Sequence, residues 1–349
     1  MNTFLTRCLM AGFLLAGCPL LFAQGPSTSG YHKLQEIVLG GEGGWDYLKL
    51  DPDAGRLYIS RATQVLVVDP DSGKSVATIP DTPGVHGIAL AAALGTGYTS
   101  NGRDGTVTVF DLHSLRPLAR LTVGSNPDAI VYEPVTKQVF TFNGASHDAS
   151  VIDAQRRTVT RALPLDGKPE FAVADGRGAV YVNLEDKAEL LKIGASGPAI
   201  EARWPLAPCE NPTGLSIDPQ RRRLFVGCSN RLMAVVDADK GNVLATLPIG
   251  SHCDATAFDP EHDLAFSSNG DGTLTIVREE APNRFVVLDN VATAPGARTM
   301  ALDATRQRVY LVTAEFGPRP EATANDPRPR APIVPGSFRL LVLARGGAS

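Results

Sequence analysis

Seven positions recur along the chain at intervals of about 42 residues, and most carry side chains that can bind ions. Each lies six residues before the proline of an Asp-Pro pair or its equivalent: Asp46, His86, Asp128, Glu170, Thr213, Asp254 and Arg298. Four carboxylates that converge on one point would suit Ca²⁺ or Mg²⁺, which prefer oxygen ligands. The single imidazole would also admit Zn²⁺ or Mn²⁺.

This pattern predicts a ligand-binding site made by six of the seven positions, with Thr213 left out. The candidate metal ligands are Asp46, His86, Asp128, Glu170 and Asp254, and Arg298 is a further candidate for binding a ligand. No motif identifies a cofactor, and a divalent cation (Ca²⁺, Mg²⁺ or Mn²⁺) is the only candidate. The alternative is a ring of solvated side chains, because strand starts are exposed and Asp is common in turns.

A second polar set follows the aromatic strand of five repeats, at Arg61, Asn101, Asn143, Asn183 and Asn269. Asn tolerates left-handed turns, so a structural role in the turn is one interpretation. The other is that the amides of Asn101, Asn143 and Asn269 bind a polar ligand, such as a sugar acid or a lactone. The sequence leaves both interpretations open.

The elements that would position these side chains form a repeat. An aromatic residue recurs in short β-branched runs at steps of 40 to 44 residues, at Tyr58, Tyr98, Phe140, Tyr181, Phe225, Phe266 and Tyr310. Four short strands at this period are typical of one propeller blade. The sequence therefore predicts an all-β chain: a single seven-bladed β-propeller over residues 31–345, with four-stranded antiparallel blades of about 42 residues.

The last blade differs from the others. Only one apolar strand, 338–343, follows Tyr310, and residues 33–39 resemble the fourth strand of the other blades. We therefore expect the N-terminal strand to close blade seven and to remove an open sheet edge. A Pro-rich insertion at 314–337 interrupts this blade, and insertions of this size are usually functional or disordered. A semi-rigid lid or docking arm and a decorative loop are equal alternatives.

Two features of the repeats carry a resemblance to a known family. Several strands end in Val-Val-Asp or Val-Phe-Asp (67–69, 109–111, 235–237), and the connectors 124–127 and 167–169 run from Gly to Pro. These features resemble the exported bacterial YVTN-type propellers, a family within the WD40-like and quinoprotein-like propellers. The resemblance covers 31–345 and implies the fold, but it implies no reaction, because members of the family bind diverse partners.

The first residues have the form of an export signal. Arg7 precedes an apolar run over 8–23, which is shorter than the roughly 20 residues that span a bilayer. We predict a signal peptide at 1–23, a linker at 24–30, and a periplasmic or secreted protein without a transmembrane segment. Residues 15–18 resemble the bacterial lipobox, so a lipoprotein anchored to the membrane through Cys18 is the alternative.

Three cysteines follow this segment, and an exported protein permits a disulfide. Cys209 lies in the loop that enters blade five, and Cys228 ends the second strand of that blade. We predict a disulfide between them, with Cys228–Cys253 as the alternative. An odd count leaves one free thiol.

The net charge and the absence of several motifs limit the functions that the sequence allows. The net charge of −4 argues against a nucleic-acid partner, and the chain has no nucleophile elbow, phosphate loop, haem-attachment or His-Glu-x-x-His motif. We predict a monomeric exported propeller that binds a small ligand or a protein on its channel face, without catalysis. The alternative is a metal-dependent hydrolase of the lactonase type: propeller lactonases hold a divalent ion at the channel mouth, and the carboxylate ring resembles that arrangement. A redox accessory role is a further alternative.

Overall fold

The structure is a computed structural model that describes residues 29–323 and 329–346. The predicted signal peptide and Cys18 lie outside these residues. Within them, 28 strands form seven four-stranded antiparallel sheets, the blades of a β-propeller. The predicted all-β fold is thereby confirmed. The described residues contain no helix long and apolar enough to cross a membrane.

Blades one to four follow one another along the chain, each from its innermost to its outermost strand. Blade one comprises β2 (Trp45–Asp51), β3 (Arg56–Arg61), β4 (Gln64–Val68) and β5 (Ser75–Ile79). Blade two comprises β6 (Val85–Ala91), a 3₁₀ turn (Ala92–Leu94), β7 (Thr96–Asn101), β8 (Thr106–Asp111) and β9 (Pro117–Thr122). Blade three comprises β10 (Pro127–Glu133), β11 (Gln138–Asn143), β12 (Asp148–Asp153) and β13 (Thr158–Pro164). Blade four comprises β14 (Pro169–Ala174), β15 (Ala179–Leu184), β16 (Glu189–Gly194) and β17 (Ala199–Pro205).

Blades five to seven complete the ring. Blade five comprises β18 (Pro212–Asp218), β19 (Arg223–Cys228), β20 (Leu232–Asp237) and β21 (Val243–Pro248). Blade six comprises β22 (Cys253–Asp259), β23 (Leu264–Asn269), β24 (Thr273–Ala281) and β25 (Arg284–Ala292). Blade seven comprises β26 (Met300–Asp303), β27 (Arg308–Thr313), β28 (Arg339–Arg345) and, as its outermost strand, β1 (Tyr31–Val38).

Burial along the strands shows where the core lies. Every residue of the second strand β7 is buried, because both faces of a blade pack against neighbouring blades. The outermost strand β17 instead alternates between exposed and partly buried residues, as expected of a strand with one solvated face. The core therefore runs between the blades, around the central channel.

The repeated aromatic residues join adjacent blades. All seven are buried, and each contributes about 1.5–3 kcal/mol through the apolar area removed from water. Two of them also reach across a blade boundary: the Tyr98 hydroxyl donates to the Ala154 carbonyl at 2.9 Å, and the Tyr181 hydroxyl donates to the Ala238 carbonyl at 2.9 Å. The period that identified the fold thus follows from the packing of one blade on the next.

The N-terminal strand closes blade seven, as predicted. Strand β1 pairs with β28 in antiparallel register from Tyr31 opposite Arg345 to Val38 opposite Arg339. It begins two residues before the predicted start at position 33. The Leu39 and Gly40 amides continue the contact, because both donate to the Phe338 carbonyl at 2.9 Å.

Cys209 and Cys228 form a disulfide, with 5.4 Å between their Cα atoms. This confirms the predicted pairing and shows that the alternative, Cys228–Cys253, is wrong. Cys253 is a buried free thiol, and burial raises its pKa to about 12. It therefore packs as a small apolar residue.

Candidate functional site

The seven repeated positions meet at one mouth of the channel. A cavity of about 480 Å³ is lined by all of them, Asp46, His86, Asp128, Glu170, Thr213, Asp254 and Arg298. Neighbouring residues that the sequence pattern did not select also line it, among them Tyr47, Glu185 and Arg330. The repeat thus identified a real convergence of side chains, including the six proposed as ligand-binding.

A β-bulge at the start of the inner strands directs these side chains toward the mouth. The pairing register shifts between Trp45 and Leu48 in blade one, and at the matching positions in blades two and three. A bulge re-aims the side chain beside it. In blade one the Ser60 hydroxyl fills the bulge, since it accepts from the Asp46 amide at 3.1 Å and donates to the Tyr47 carbonyl at 3.2 Å. A serine at this position of the second strand is therefore a sequence signal for the bulge.

Two aromatic rings form the floor of the mouth. Tyr47 and Phe171 lie across the channel from each other, with ring centroids 5.1 Å apart, and the Tyr47 hydroxyl donates to the Glu170 carbonyl at 3.3 Å. Beyond them a second cavity of about 380 Å³ continues down the channel and is lined mainly by apolar residues and Lys49. The two aromatic rings therefore separate the acidic mouth from the cavity further down the channel.

Blades one to three contribute a compact cluster of possible metal ligands. Nδ1 of His86 lies 2.5 Å from a carboxylate oxygen of Asp46 and 3.8 Å from one of Asp128. One ligand atom from each of the three residues can be chosen so that all lie within 4.8 Å of one another. Two carboxylates and an imidazole at this spacing could hold a divalent cation.

The protonation of this cluster is strongly coupled to its surroundings. Burial lowers the pKa of His86, but the hydrogen bond that its ring donates to the Asp46 carboxylate and the negative charge of Asp128 outweigh burial and raise the pKa to about 9. Burial raises the pKa of Asp128, and the charge of Asp46 raises it further. At neutral pH the imidazolium of His86 therefore supplies positive charge that a bound cation would otherwise supply.

The carboxylates on the other side of the mouth have basic partners. Nζ of Lys168 lies 3.4 Å from Glu170 and also contacts Glu185, while Nε of Arg298 lies 2.9 Å from Asp254. Burial raises the pKa of Asp254 to about 6 even though Arg298 opposes the shift. Glu170 and Asp254 face the mouth but are not members of the three-ligand cluster.

The asparagines of the second polar set lie elsewhere, buried at the ends of the second strands. The Asn101 amide donates to the hydroxyls of Thr106 and Thr108 at 3.0 and 2.8 Å, and the Asn269 amide bonds Thr273 and Thr275 in the same way. Asn143 donates to Asp148 and Ser150, and Asn183 to the Gly214 carbonyl. None of these four residues lines the mouth cavity, and none has a positive φ. Their contacts are structural, but a left-handed turn is not the reason.

Arg61 is also remote from the mouth contacts. Its guanidinium lies 3.7 Å from the centroid of the Phe338 ring and donates to the Glu42 carbonyl at 2.9 Å. Burial lowers the pKa of Arg61 to about 10. This side chain joins blade one to the segment that follows β1, so it helps to hold the ring closed.

Comparison with known proteins identifies the fold but no family. No protein-family profile matches the sequence, and no curated protein matches it. Among solved structures, "Structure of U3-55K" and "Crystal structure of RRP9 WD40 repeats" align with TM-scores of 0.73 at 11% identity. These alignments cover 91% and 92% of this chain and 99% of each of those chains. Hydrazine synthase of Kuenenia stuttgartiensis aligns with a TM-score of 0.68 at 16% identity, over 77% of this chain and 92% of that chain.

At such low identity these likenesses show a seven-bladed propeller and nothing about activity. The YVTN-type resemblance stays a prediction. The fold is one that often presents ligands or partners with a binding face, and the mouth brings ionisable side chains of several blades together.

Proposed function

We propose that the protein binds a divalent cation at the channel mouth through Asp46, His86 and Asp128, and that a small ligand binds on the same face. The observation that carries this proposal is the approach of three ligand atoms to within 4.8 Å of one another. Carboxylates and imidazole together suit Mn²⁺ or Zn²⁺, and two carboxylates with open water positions suit Ca²⁺.

The charge of the mouth supports the same proposal. Five carboxylates line the cavity, from Asp46, Asp128, Glu170, Glu185 and Asp254. Three permanently charged cations face them, namely Arg298, Arg330 and the adjoining Lys168. His86 supplies a fourth positive charge only while it is protonated. When all five carboxylates are ionised, a bound divalent cation would compensate their excess negative charge without depending on that proton.

A thermal-shift series tests the cation site. In the parent protein, Mn²⁺ or Ca²⁺ at a hundredfold excess over its dissociation constant should stabilise the fold by about 2.7 kcal/mol, or about 4 °C in melting temperature. The variants Asp46→Asn, His86→Gln and Asp128→Asn should lose this response.

The matched control is Asp254→Asn, which removes a carboxylate from the same mouth but from outside the cluster. Its response to the cation should persist. A parent protein that ignores every divalent cation, or four variants with equal responses, would refute the proposed site.

Metal-dependent hydrolysis of the lactonase type is a second candidate. The observation that favours it is Glu170, which lines the same cavity as the cluster and whose pKa is raised by burial and by the charge of Asp128. A protonated carboxyl near a cation could serve as a general acid. Hydrolysis of γ- and δ-lactones should then require the cation and decline in Glu170→Gln, while cation binding continues. No turnover by the cation-loaded parent would remove this candidate.

We also propose that the protein is exported. The proposal rests on the basic and apolar residues of the N-terminal segment, and the disulfide between Cys209 and Cys228 is consistent with an extracellular location. Mass spectrometry of protein expressed with its native N-terminus should find the start of the mature chain near residue 24, or lipidated Cys18 in the alternative. An uncleaved chain in the reducing cytoplasm would contradict export.

A further inference from the structure

A third cavity, separate from the mouth and from the apolar cavity below it, adjoins the mouth beneath the blade-seven insertion. It has a volume of about 550 Å³, and its walls include Trp45, Phe316 and Ile333 together with the arginines Arg298, Arg319 and Arg330. Trp45, Arg298 and Arg330 also line the mouth, so the two cavities share a boundary. We refer to this third cavity as the insertion pocket.

The apolar wall of the insertion pocket is held by specific contacts. Phe316 and Ile333 form an antiparallel bridge, and the Gly317 amide donates to the Pro332 carbonyl at 2.8 Å. The Trp45 ring lies 6.1 Å from Phe316 between centroids. The base of the insertion is thus a short hairpin built against blade one.

Gly296 allows the Phe316 ring of this wall to pack close to the backbone. A Cβ at this position would lie 2.9 Å from the Phe316 ring, and the backbone has a φ of +79°. Only glycine combines this backbone with so close an approach. Phe316 nevertheless remains 43% exposed, which leaves part of its ring available to a ligand in the pocket.

The charged wall holds two guanidinium groups that have no close partner among the described residues. Arg298 is paired with Asp254, and the charge of Arg330 also acts on Asp254. Within residues 29–323 and 329–346, however, neither Arg319 nor Arg330 forms an ion pair within 4 Å or a hydrogen bond. A guanidinium recognises a carboxylate through two parallel hydrogen bonds, and it is more weakly hydrated than an ammonium group. Apolar rings next to guanidinium groups that can accept a carboxylate match a molecule with an apolar body and an anionic head.

We propose that the insertion pocket binds a small carboxylate with an aliphatic or aromatic body. Its body would contact Trp45, Phe316 and Ile333, and its carboxylate would pair with Arg319 and Arg330. The inference deepens the proposed function by naming the class of its small ligand, and it rests on that function only in placing the ligand beside the cation.

Trp45 provides a reporter for this binding. The chain has two tryptophans, and Trp204→Phe removes the other one, which stacks on Tyr181 in blade four. In this background, hexanoate should change the Trp45 fluorescence in a saturable way. Hexan-1-ol, which lacks the charge, and acetate, which lacks the apolar body, should each bind at least tenfold more weakly. Equal binding of hexanoate and hexan-1-ol would overturn the proposal.

Arginine variants test the charged wall. The double variant Arg319→Gln/Arg330→Gln should weaken hexanoate binding at least tenfold, and Phe316→Ser should weaken it severalfold. Arg284→Gln is the matched control, because Arg284 is exposed in blade six and pairs only with Glu280 among the described residues. Unchanged hexanoate binding by the double variant, with an unchanged melting temperature, would overturn the proposal.

The titrations are run both in chelator and with Mn²⁺, so that the two proposals can fail separately. Hexanoate binding in chelator, without any cation response in the parent, would refute only the cation site. A cation response without hexanoate binding would refute only the insertion pocket.

Discussion

The two sides of the channel mouth use the same strand position for different purposes. In blades one to three, Asp46 and Asp128 share the imidazole of His86, which is their only basic partner within 4 Å among the described residues. On the other side, Glu170 pairs with Lys168 and Asp254 with Arg298. One side is thus compensated by a group that can release its proton, and the other by groups that stay charged.

This difference decides which side can accept a metal ion. Lys and Arg keep their charge at any physiological pH, so a cation gains little by displacing them. An imidazolium can lose its proton and become a ligand. Blades one to three therefore present an exchangeable site, whereas the opposite side presents fixed ion pairs.

The largest expected effect is the pH dependence of cation affinity. Because the pKa of His86 is raised to about 9 and that of Asp128 is also raised, a cation must displace at least one proton at neutral pH. Affinity for Mn²⁺ or Ca²⁺ should rise about tenfold per pH unit, or roughly 100-fold between pH 6 and 8. Calorimetry in two buffers of different ionisation enthalpy would count the protons released.

Asp254→Asn, which leaves the three-ligand cluster intact, should retain this slope. An affinity that is flat with pH would show that the cation binds elsewhere.

A smaller effect on cation affinity should follow when the ion pair between Asp254 and Arg298 is removed. Arg298→Met removes the partner of Asp254 and one positive charge from the mouth. Affinity for the cation at pH 8 should rise about threefold to fivefold, since a unit charge acts over ~10 Å through a partly aqueous medium. Titration calorimetry measures the change. Arg156→Met, in the turn between β12 and β13 where the side chain is exposed, is the control, and a rise in that variant would remove the electrostatic explanation.

Much of the fold could be predicted because it repeats. The aromatic period reflects blade-on-blade packing, so Tyr98 and Tyr181 recur at the boundaries they join. The terminal Asp of the third strands is equally local: the Asp111 carboxylate accepts from the Ser114 amide at 2.6 Å and caps the turn. Features that each blade must satisfy leave a regular mark on the sequence.

The site was less predictable because its partners come from different blades. Counting along the repeat found the seven positions of the mouth, but not that Arg298 pairs with Asp254 of the preceding blade or that Tyr47 and Phe171 form the floor. These contacts depend on the ring geometry, which no single blade encodes. The asparagines show the converse: their regular position left a structural and a ligand-binding interpretation open, and their side chains are buried in bonds to threonines and other internal groups.

The smallest expected effect is on the stability of the cation-free protein. Its pH dependence should differ between variants of the two sides of the mouth. The raised pKa values of His86 and Asp128 mean that the folded state holds their protons more tightly than the unfolded chain. The stability from these protons is present at low pH and is lost as pH rises toward about 9. In chelator, the melting temperature should therefore fall between pH 7 and 9.

Asp128→Asn should make this fall smaller by about 2 °C, because Asn has no proton to lose and its neutral amide no longer raises the pKa of His86. Asp254→Asn should reduce the fall by less, since the pKa of Asp254 is about 6 and its own proton is already lost there, and its charge raises the pKa of Asp128 less than the charge of Asp46 does. Thermal melts followed by circular dichroism at half-unit pH steps measure both. Identical pH profiles for the two variants would mean that the sides of the mouth do not differ in the way their ion pairs suggest.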